Sequence, residues 1–174
     1  MKTLEQLCIP RQSVFDPAKR DTVLSLTHLS ADTINGPVFL EENHVTDGMR
    51  TLLLEAFRRL QGASEQAVFK LTQAMGGGKT HNLITLGMLA KHPDLRPQVL
   101  PGLPSGKDLP VVRVVAFSGR ETDVPHGIWG EIARQLGKFD AFKDYYAPLK
   151  APGRTAWINL LKGGPTLIDR KSVV

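Results

Sequence analysis

Three glycines followed by lysine and threonine constrain the fold of this chain more than any other feature. The segment reads Gln73-Ala74-Met75-Gly76-Gly77-Gly78-Lys79-Thr80. Consecutive glycines let the backbone turn tightly with its N–H groups pointing inward, because no side chain blocks an approaching anion. Lys79 adds a positive charge for the β- and γ-phosphates of a nucleotide, and Thr80 offers a hydroxyl to Mg²⁺. The pattern therefore predicts a loop that binds ATP and Mg²⁺.

The segments on either side of this loop fit the same prediction. Residues 67–72 are largely apolar and β-prone, which predicts a buried strand leading into the loop. Residues 80–91 carry five large apolar side chains and end before Pro93, which predicts a helix packed on a sheet. The N-terminus of that helix favours phosphate. This order predicts an α/β fold of the P-loop NTPase type, a parallel sheet flanked by helices.

Gln73 departs from the general Walker A spacing, which has glycine at that position. The alternative interpretation is a glycine-rich turn that binds nothing. Many nucleotide-driven motors, including helicases, tolerate another residue there, so we interpret residues 73–80 as a nucleotide-binding loop. His81 follows directly; a structural role is favoured for it, but it is close enough to contact the phosphate or magnesium environment.

Upstream of the loop, the sequence predicts a short strand at 37–40 and a helix that begins at Thr46 or Asp47 and ends at Gly62. Downstream, five prolines between Pro93 and Pro110 predict a long surface connection. Residues 111–117 are apolar nearly throughout, as in a central parallel strand. Helices are expected at 127–136, 140–149 and 155–161, and a further strand begins at Thr166.

A polar cluster follows the strand at 111–117. Ligands of open α/β sheets collect at the carboxyl ends of strands, so Arg120 and Asp123 are expected to face the nucleotide crevice. A cation there contacts phosphate, and a carboxylate holds a magnesium-bound water. An ordinary polar loop is the equal alternative. His126 is expected to be a structural hydrogen-bonding residue.

Composition limits the class of protein. The chain is 41% hydrophobic and 22% charged, as in an ordinary globular domain. Its net charge of +5 permits contact with nucleic acid, but the basic residues are scattered. Cys8 is the only cysteine, which suits a reducing cytoplasm. The sequence has neither a signal peptide nor an apolar run of membrane-spanning length, so we expect a cytoplasmic protein without membrane contact.

The C-terminus predicts a chain that stops within a domain. Thr166-Leu167-Ile168-Asp169 begins like the strand that carries the acidic residues of a phosphate-loop ATPase. The last six residues, Asp169 to Val174, are what a common short-read sequencing adapter encodes in one reading frame. We therefore expect an N-terminal approach segment at 1–46, an incomplete ATPase domain at 47–168 and a foreign tail at 169–174. The catalytic residues are expected beyond Ile168.

The chain resembles the N-terminus of large prokaryotic ATPases that carry a domain of unknown function. The resemblance rests on the loop at 72–82, on Ser13-Val14-Phe15-Asp16-Pro17 and on Ala116-Phe117-Ser118-Gly119-Arg120-Glu121-Thr122. These ATPases are encoded beside adenine-specific DNA methyltransferases in restriction and phage-defence islands. The resemblance implies an AAA-like ATPase core with DNA-modifying or other defence proteins as partners. In this family the last strand continues to an Asp-Glu pair, from which this chain departs.

Two functions from different classes follow. One is a motor or switch ATPase that works with DNA-modifying partners. The other is a helicase-like translocase that contacts nucleic acid itself, since residues 74–80 resemble the first helicase motif. A small-molecule kinase is a third alternative, for which the sequence has no acceptor-binding signature.

Overall fold

A computed structural model describes residues 3, 7, 8, 15, 24–72, 74, 76–119 and 126–171. The elements in chain order are α1 (Leu26–Ser30), α2 (Gly36–Glu41), α3 (Asp47–Leu60), α4 (Lys79–Lys91), α5 (Arg96–Val99), β1 (Arg113–Ser118), α6 (Gly127–Gln135), a 3₁₀ turn (Asp140–Phe142), α7 (Lys143–Tyr146), α8 (Arg154–Leu161) and β2 (Thr166–Lys171). None of the helices in these ranges combines the length and the apolar character needed to cross a membrane.

The two strands form a small parallel sheet, which confirms the predicted α/β class. Their register runs from Arg113 opposite Thr166 to Ser118 opposite Lys171. The backbone N–H of Arg113 donates to the carbonyl of Pro165 at 3.2 Å, so odd-numbered residues of β1 point their backbone groups at β2. The strand predicted at 111–117 is confirmed, shifted towards its C-terminus.

Helices cover both faces of this sheet. Side chains of α1, α2 and α4 pack with Ala116 on one face, and α3, α4 and the loop before β1 extend that core. On the other face, Val115 and Phe117 pack against α6, α8 and the 3₁₀ turn. Alternation along β1 directs its side chains to the two layers in turn.

Side chains and helix ends close the outer edge of β1. Val112 donates its backbone N–H to the carbonyl of Ala90, at the end of α4, at 3.0 Å. The side-chain amide of Gln135 both accepts from the N–H and donates to the carbonyl of Ala116, each at 3.0 Å. These contacts occupy outward-facing backbone groups of Val112 and Ala116, which a further strand would need at those two positions.

The strand predicted at 67–72 is absent, so this prediction is wrong. Residues 64–72 have no regular secondary structure; Val68 is 79% exposed, although Phe69 packs against the core between α3 and α4. A strand requires a hydrogen-bonded neighbour. Among the described residues β1 pairs only with β2, so residues 67–72 have no such neighbour; the sequence pattern indicates only the apolar character of the segment.

The strand predicted at 37–40 is also wrong, because these residues lie in α2. Asn35 caps this helix by accepting a hydrogen bond from the N–H of Val38 at 3.3 Å, and Pro37 occupies its first turn. Both are signals for the start of a helix. Of the apolar residues that suggested a strand, Phe39 is 7% exposed and packs in the core, whereas Val38 is exposed.

The connection between α4 and β1 is not the surface loop that was predicted. It contains the one-turn helix α5, and Leu95, Leu100, Leu103 and Leu109 are buried. Arg96 is fully buried and donates to the carbonyls of Leu89, Ala90, Pro104, Leu109 and Pro110. Its guanidinium lies 4.9 Å from the centre of the Phe57 ring. A cation at the C-terminal end of α4 is also favoured by the helix dipole.

The remaining predicted helices are confirmed in part. α3 has Thr46 as its cap and buries Met49, Leu52, Leu53, Ala56 and Phe57, as the helical spacing predicts. α4, α6 and α8 lie at the predicted places. The helix predicted at 140–149 is only a 3₁₀ turn followed by one α-helical turn. Leu149 has a positive φ of 51°, which is not helical, and the Phe139 ring stacks on the Tyr146 ring with their centres 4.3 Å apart.

Residues 169–171 continue β2 in register with Ala116, Phe117 and Ser118. The first three residues of the expected foreign tail therefore extend the sheet. The Asp169 side chain is buried: the residue is 3% exposed, and Oδ2 has no hydrogen-bond partner within the described ranges. Burial raises the pKa of this carboxyl to about 7. Residues 172–174 lie outside the described part of the chain.

Candidate functional site

The glycine loop makes a tight turn that leads directly into α4. Gly76 and Gly78 have positive φ angles of 79° and 73°. L-residues adopt this left-handed region at a steric cost that glycine avoids. Gly77 donates its N–H to the carbonyl of Ala74 at 3.1 Å, which closes the turn. Gln73 and Met75 lie outside the described residues.

The first residues of α4 are Lys79 and Thr80, as the sequence predicts for a phosphate-binding helix. Gly78 is the N-cap of α4 and brings no side chain to cap the helix. The first N–H groups of a helix have no partner within it, and they carry the positive end of the helix dipole. Lys79 Nζ donates to the carbonyl of Ala74 at 2.9 Å, so the lysine side chain folds back across the loop.

Gly76 and Gly78 face open space. Among the described residues, a Cβ atom placed on either glycine would have no heavy atom within 4 Å, apart from the adjoining residues. Thr80 is half-buried in the first turn of α4. The described residues contain no group of three or more metal-binding side chains. A magnesium ion at Thr80 would therefore depend on phosphate and water oxygens for most of its ligands.

His81 follows Thr80 and is held from outside α4. Its Nε2 lies 2.6 Å from Oδ1 of Asn43, and its ring centre lies 4.7 Å from that of Phe39. Burial lowers the pKa of His81 below its ordinary value, which favours the neutral imidazole. Asn43 also donates through Nδ2 to Oγ1 of Thr85 at 2.7 Å. His81 therefore has two specific partners, Asn43 and Phe39, which fits the structural role predicted for it.

Asn43 could not be predicted as a partner of His81 from the sequence. It lies in the short turn between α2 and α3, where nothing in the local pattern marks it. His81 and Thr85, in contrast, are separated by four residues and so share one face of α4. Two polar side chains on the same face of α4, at positions 81 and 85, were the available signal.

The predicted crevice residues Arg120 and Asp123 lie outside the described residues, so their placement stays a prediction. Among the described residues, a small pocket lies between the C-terminal end of β1 and the start of α6, lined by Phe117, Ser118, Gly119, Gly127, Ile128, Glu131 and Arg170. Because α6 packs on the face of the sheet opposite α4, this pocket is separate from the glycine loop.

Glu131 organises the α6 side of that pocket. Burial alone would raise the pKa of this carboxyl, but hydrogen bonds from Arg134, Gln135 and His126 outweigh it and lower the pKa to about 2. The bond from His126 Nε2 is 3.2 Å long and the shortest bond from Arg134 is 2.6 Å. His126 thus makes the structural hydrogen bond that was predicted for it.

Comparison with known proteins gives one result. Residues 25–104 match the DUF499 N-terminal domain. The DUF499 match runs from α1 to the connection after α5 and includes the glycine loop, His81 and Asn43. It supports the resemblance to proteins with a domain of unknown function, and the family itself is uncharacterised. No curated protein and no solved structure matches the chain.

Proposed function

We propose that this chain binds ATP and Mg²⁺ through residues 73–81, as part of an AAA-like P-loop ATPase that acts with DNA-modifying or phage-defence partners. One observation carries the proposal: the turn at Gly76–Gly78, with two positive φ angles, opens directly into a 13-residue helix that begins with Lys79 and Thr80. This arrangement brings together backbone amides, a lysine and a hydroxyl, the combination that recognises a nucleoside triphosphate.

Each group has its own role in this proposal. The amides of the loop and of the first turn of α4 donate to phosphate oxygens, and the helix dipole favours the negative charge. Lys79 turns from the Ala74 carbonyl to the phosphates as a point charge. Thr80 adds one oxygen ligand to Mg²⁺, which when bound would neutralise phosphate charge. Arg120 and Asp123 are the proposed residues of the opposite crevice wall.

Isothermal titration calorimetry with ATP and Mg²⁺ tests this proposal. Lys79→Ala should weaken binding by at least about tenfold, the effect of losing one hydrogen bond from a charged donor. Lys70→Ala is the matched control, because Lys70 is an exposed lysine before the loop. Equal affinity of wild type and Lys79→Ala would refute the assignment.

Thr80→Val provides a separate test of the magnesium role. Valine keeps the shape of threonine and removes only the hydroxyl. We expect the gain in ATP affinity on adding Mg²⁺ to be smaller in this variant, whereas affinity measured in EDTA should be unchanged. An undiminished Mg²⁺ effect would remove Thr80 from the proposed metal ligands.

A helicase-like translocase is the second candidate, favoured by the resemblance of residues 74–80 to the first helicase motif. Both candidates use the same nucleotide site, so nucleotide binding does not separate them. Nucleic-acid binding does, because a translocase must hold its strand in a manner that depends on the nucleotide.

A further inference from the structure

The glycine loop receives little support from the segment that precedes it. Residues 64–72 have no regular secondary structure, and Val68 is 79% exposed. The loop must nevertheless hold its amides in fixed directions to recognise phosphate, since groups that reorganise on binding lose part of the binding energy. Support therefore has to come from the other side, through the first turn of α4.

Hydrogen bonds that involve three side chains hold that first turn. His81 Nε2 lies 2.6 Å from Asn43 Oδ1, Asn43 Nδ2 donates to Thr85 Oγ1 at 2.7 Å, and Thr85 Oγ1 donates to the His81 carbonyl at 2.9 Å. An amide oxygen only accepts, so His81 must carry its proton on Nε2. Each donor thereby faces an acceptor, and the bonds form a closed cycle. We call these three residues the His81 clamp.

The His81 clamp joins segments that are far apart in the sequence. Asn43 comes from the turn between α2 and α3, 38 residues before His81. Phe39 of α2 packs against the imidazole from the same side and is itself 7% exposed. The position of His81 is therefore fixed by a packed part of the fold, and Lys79 and Thr80 are the two residues that precede it in α4.

We propose that Asn43 and Thr85 are positioning residues that act through His81 to orient the first turn of α4 and the glycine loop for nucleotide phosphates. This inference rests on the proposed nucleotide binding. It adds that affinity depends on side chains outside the loop, one of them contributed by the turn between α2 and α3. A cluster with a purely structural role would support stability and leave phosphate affinity unchanged.

A pair of variants at position 81 separates the two roles. Glutamine places a side-chain N–H near the position of the imidazole Nε2, whereas leucine fills similar space and donates nothing. Thr85→Val and Asn43→Ala remove the other two members, and His44→Ala is the control, since His44 is exposed beside Asn43. All are made in the 174-residue chain, with Lys79→Ala as the reference for specific binding.

Affinity for ATP and Mg²⁺ is measured by calorimetry, and the glycine amides are observed by ¹⁵N NMR with and without the nucleotide. We expect His81→Leu, Thr85→Val and Asn43→Ala to bind about three- to tenfold more weakly, the effect of one or two net hydrogen bonds. His81→Gln should bind within about twofold of wild type, a smaller change than one net hydrogen bond causes. The amides of Gly76–Gly78 should shift in the free His81→Leu protein.

The positioning role would be refuted if His81→Gln and His81→Leu bound ATP with equal affinity and the NMR signals of the Gly76–Gly78 amides stayed at their wild-type positions. Nucleotide binding that depends on Lys79 would be unaffected by that result. If wild type and Lys79→Ala bind alike, the proposed function fails and the clamp fails with it. If His81→Leu does not fold, Thr85→Val decides alone, because it removes a single hydroxyl; wild-type affinity in that variant would overturn the proposal.

Discussion

Asp169 is an ionisable residue at a buried position of β2, among apolar side chains. Its side chain lies on the same face of the sheet as Ala116 and Leu167, which face the helix layer of α1 and α4. One carboxylate oxygen lacks a hydrogen-bond partner within the described residues, and burial raises the pKa to about 7. A buried carboxylate without a partner destabilises the folded state.

This arrangement predicts how stability depends on pH. The folded-state pKa lies above the unfolded value of about 3.9, so the folded state binds more protons between these values. The contribution of Asp169 to the free energy of unfolding should therefore be highest below pH 4, fall as pH rises towards 7, and level off above it. The full difference is at most about 4 kcal/mol, from about three pK units at 1.36 kcal/mol each.

Asp169→Asn should remove this fall and be more stable than wild type at pH 8. Urea unfolding of both proteins between pH 4 and 8 provides the measurement, with Asp144→Asn as the control because Asp144 is an exposed carboxylate. Parallel profiles for wild type and Asp169→Asn would contradict the assigned burial.

Among the elements, the contact between α1 and α4 depends on the absence of a side chain at Gly87. A Cβ atom there would lie 2.3 Å from Cδ2 of Leu29, and Leu29 is fully buried, so it cannot move aside easily. Gly48, in the first turn of α3, has no heavy atom within 4 Å of such a Cβ. The two helical glycines are therefore a matched pair.

Gly87→Ala should destabilise the protein by about 1–2 kcal/mol, because overpacking costs about 1–3 kcal/mol and outweighs the helix propensity of alanine. Gly48→Ala should be neutral or stabilise by up to about 1 kcal/mol. Urea denaturation of both variants checks this. Equal stabilities would mean that α1 does not pack on α4 as described.

Elements with local signals were predictable from the sequence, and elements that depend on distant partners were not. The capped, periodic α3 and the apolar β1 occur where they were expected. Residues 67–72 are equally apolar, but a strand also needs a neighbour, which a local pattern does not specify. In the site, the turn at Gly76–Gly78 and the start of α4 follow from the sequence. The role of Asn43 does not follow from the sequence, because it arises only from contacts with His81 and Thr85, which lie 38 and 42 residues further along the chain.

For the whole molecule, the net charge of +5 overstates the cationic surface. Arg96 is buried among carbonyls, Arg113 donates to the carbonyls of Leu161 and Gly164, and Lys138 donates to carbonyls at the end of α8. Lys91 and Arg134 are paired with carboxylates. These five basic side chains are engaged in contacts within the fold, so they are less available to a nucleic-acid groove.

We therefore predict weak, nonspecific binding to DNA. Fluorescence anisotropy with single- and double-stranded oligonucleotides should give dissociation constants of about 10⁻⁴–10⁻⁶ M near physiological salt, the nonspecific range. ATP and Mg²⁺ should not tighten this binding. In the proposed ATPase that acts with protein partners, the nucleotide would control contact with another protein and not with DNA. Lys79→Ala, which removes the nucleotide response, serves as the control. The helicase-like translocase would be favoured instead if DNA binding were much tighter, fell steeply with salt, and strengthened with ATP only when Lys79 is present. Only a motor that binds the strand itself couples its affinity for ATP to its affinity for DNA.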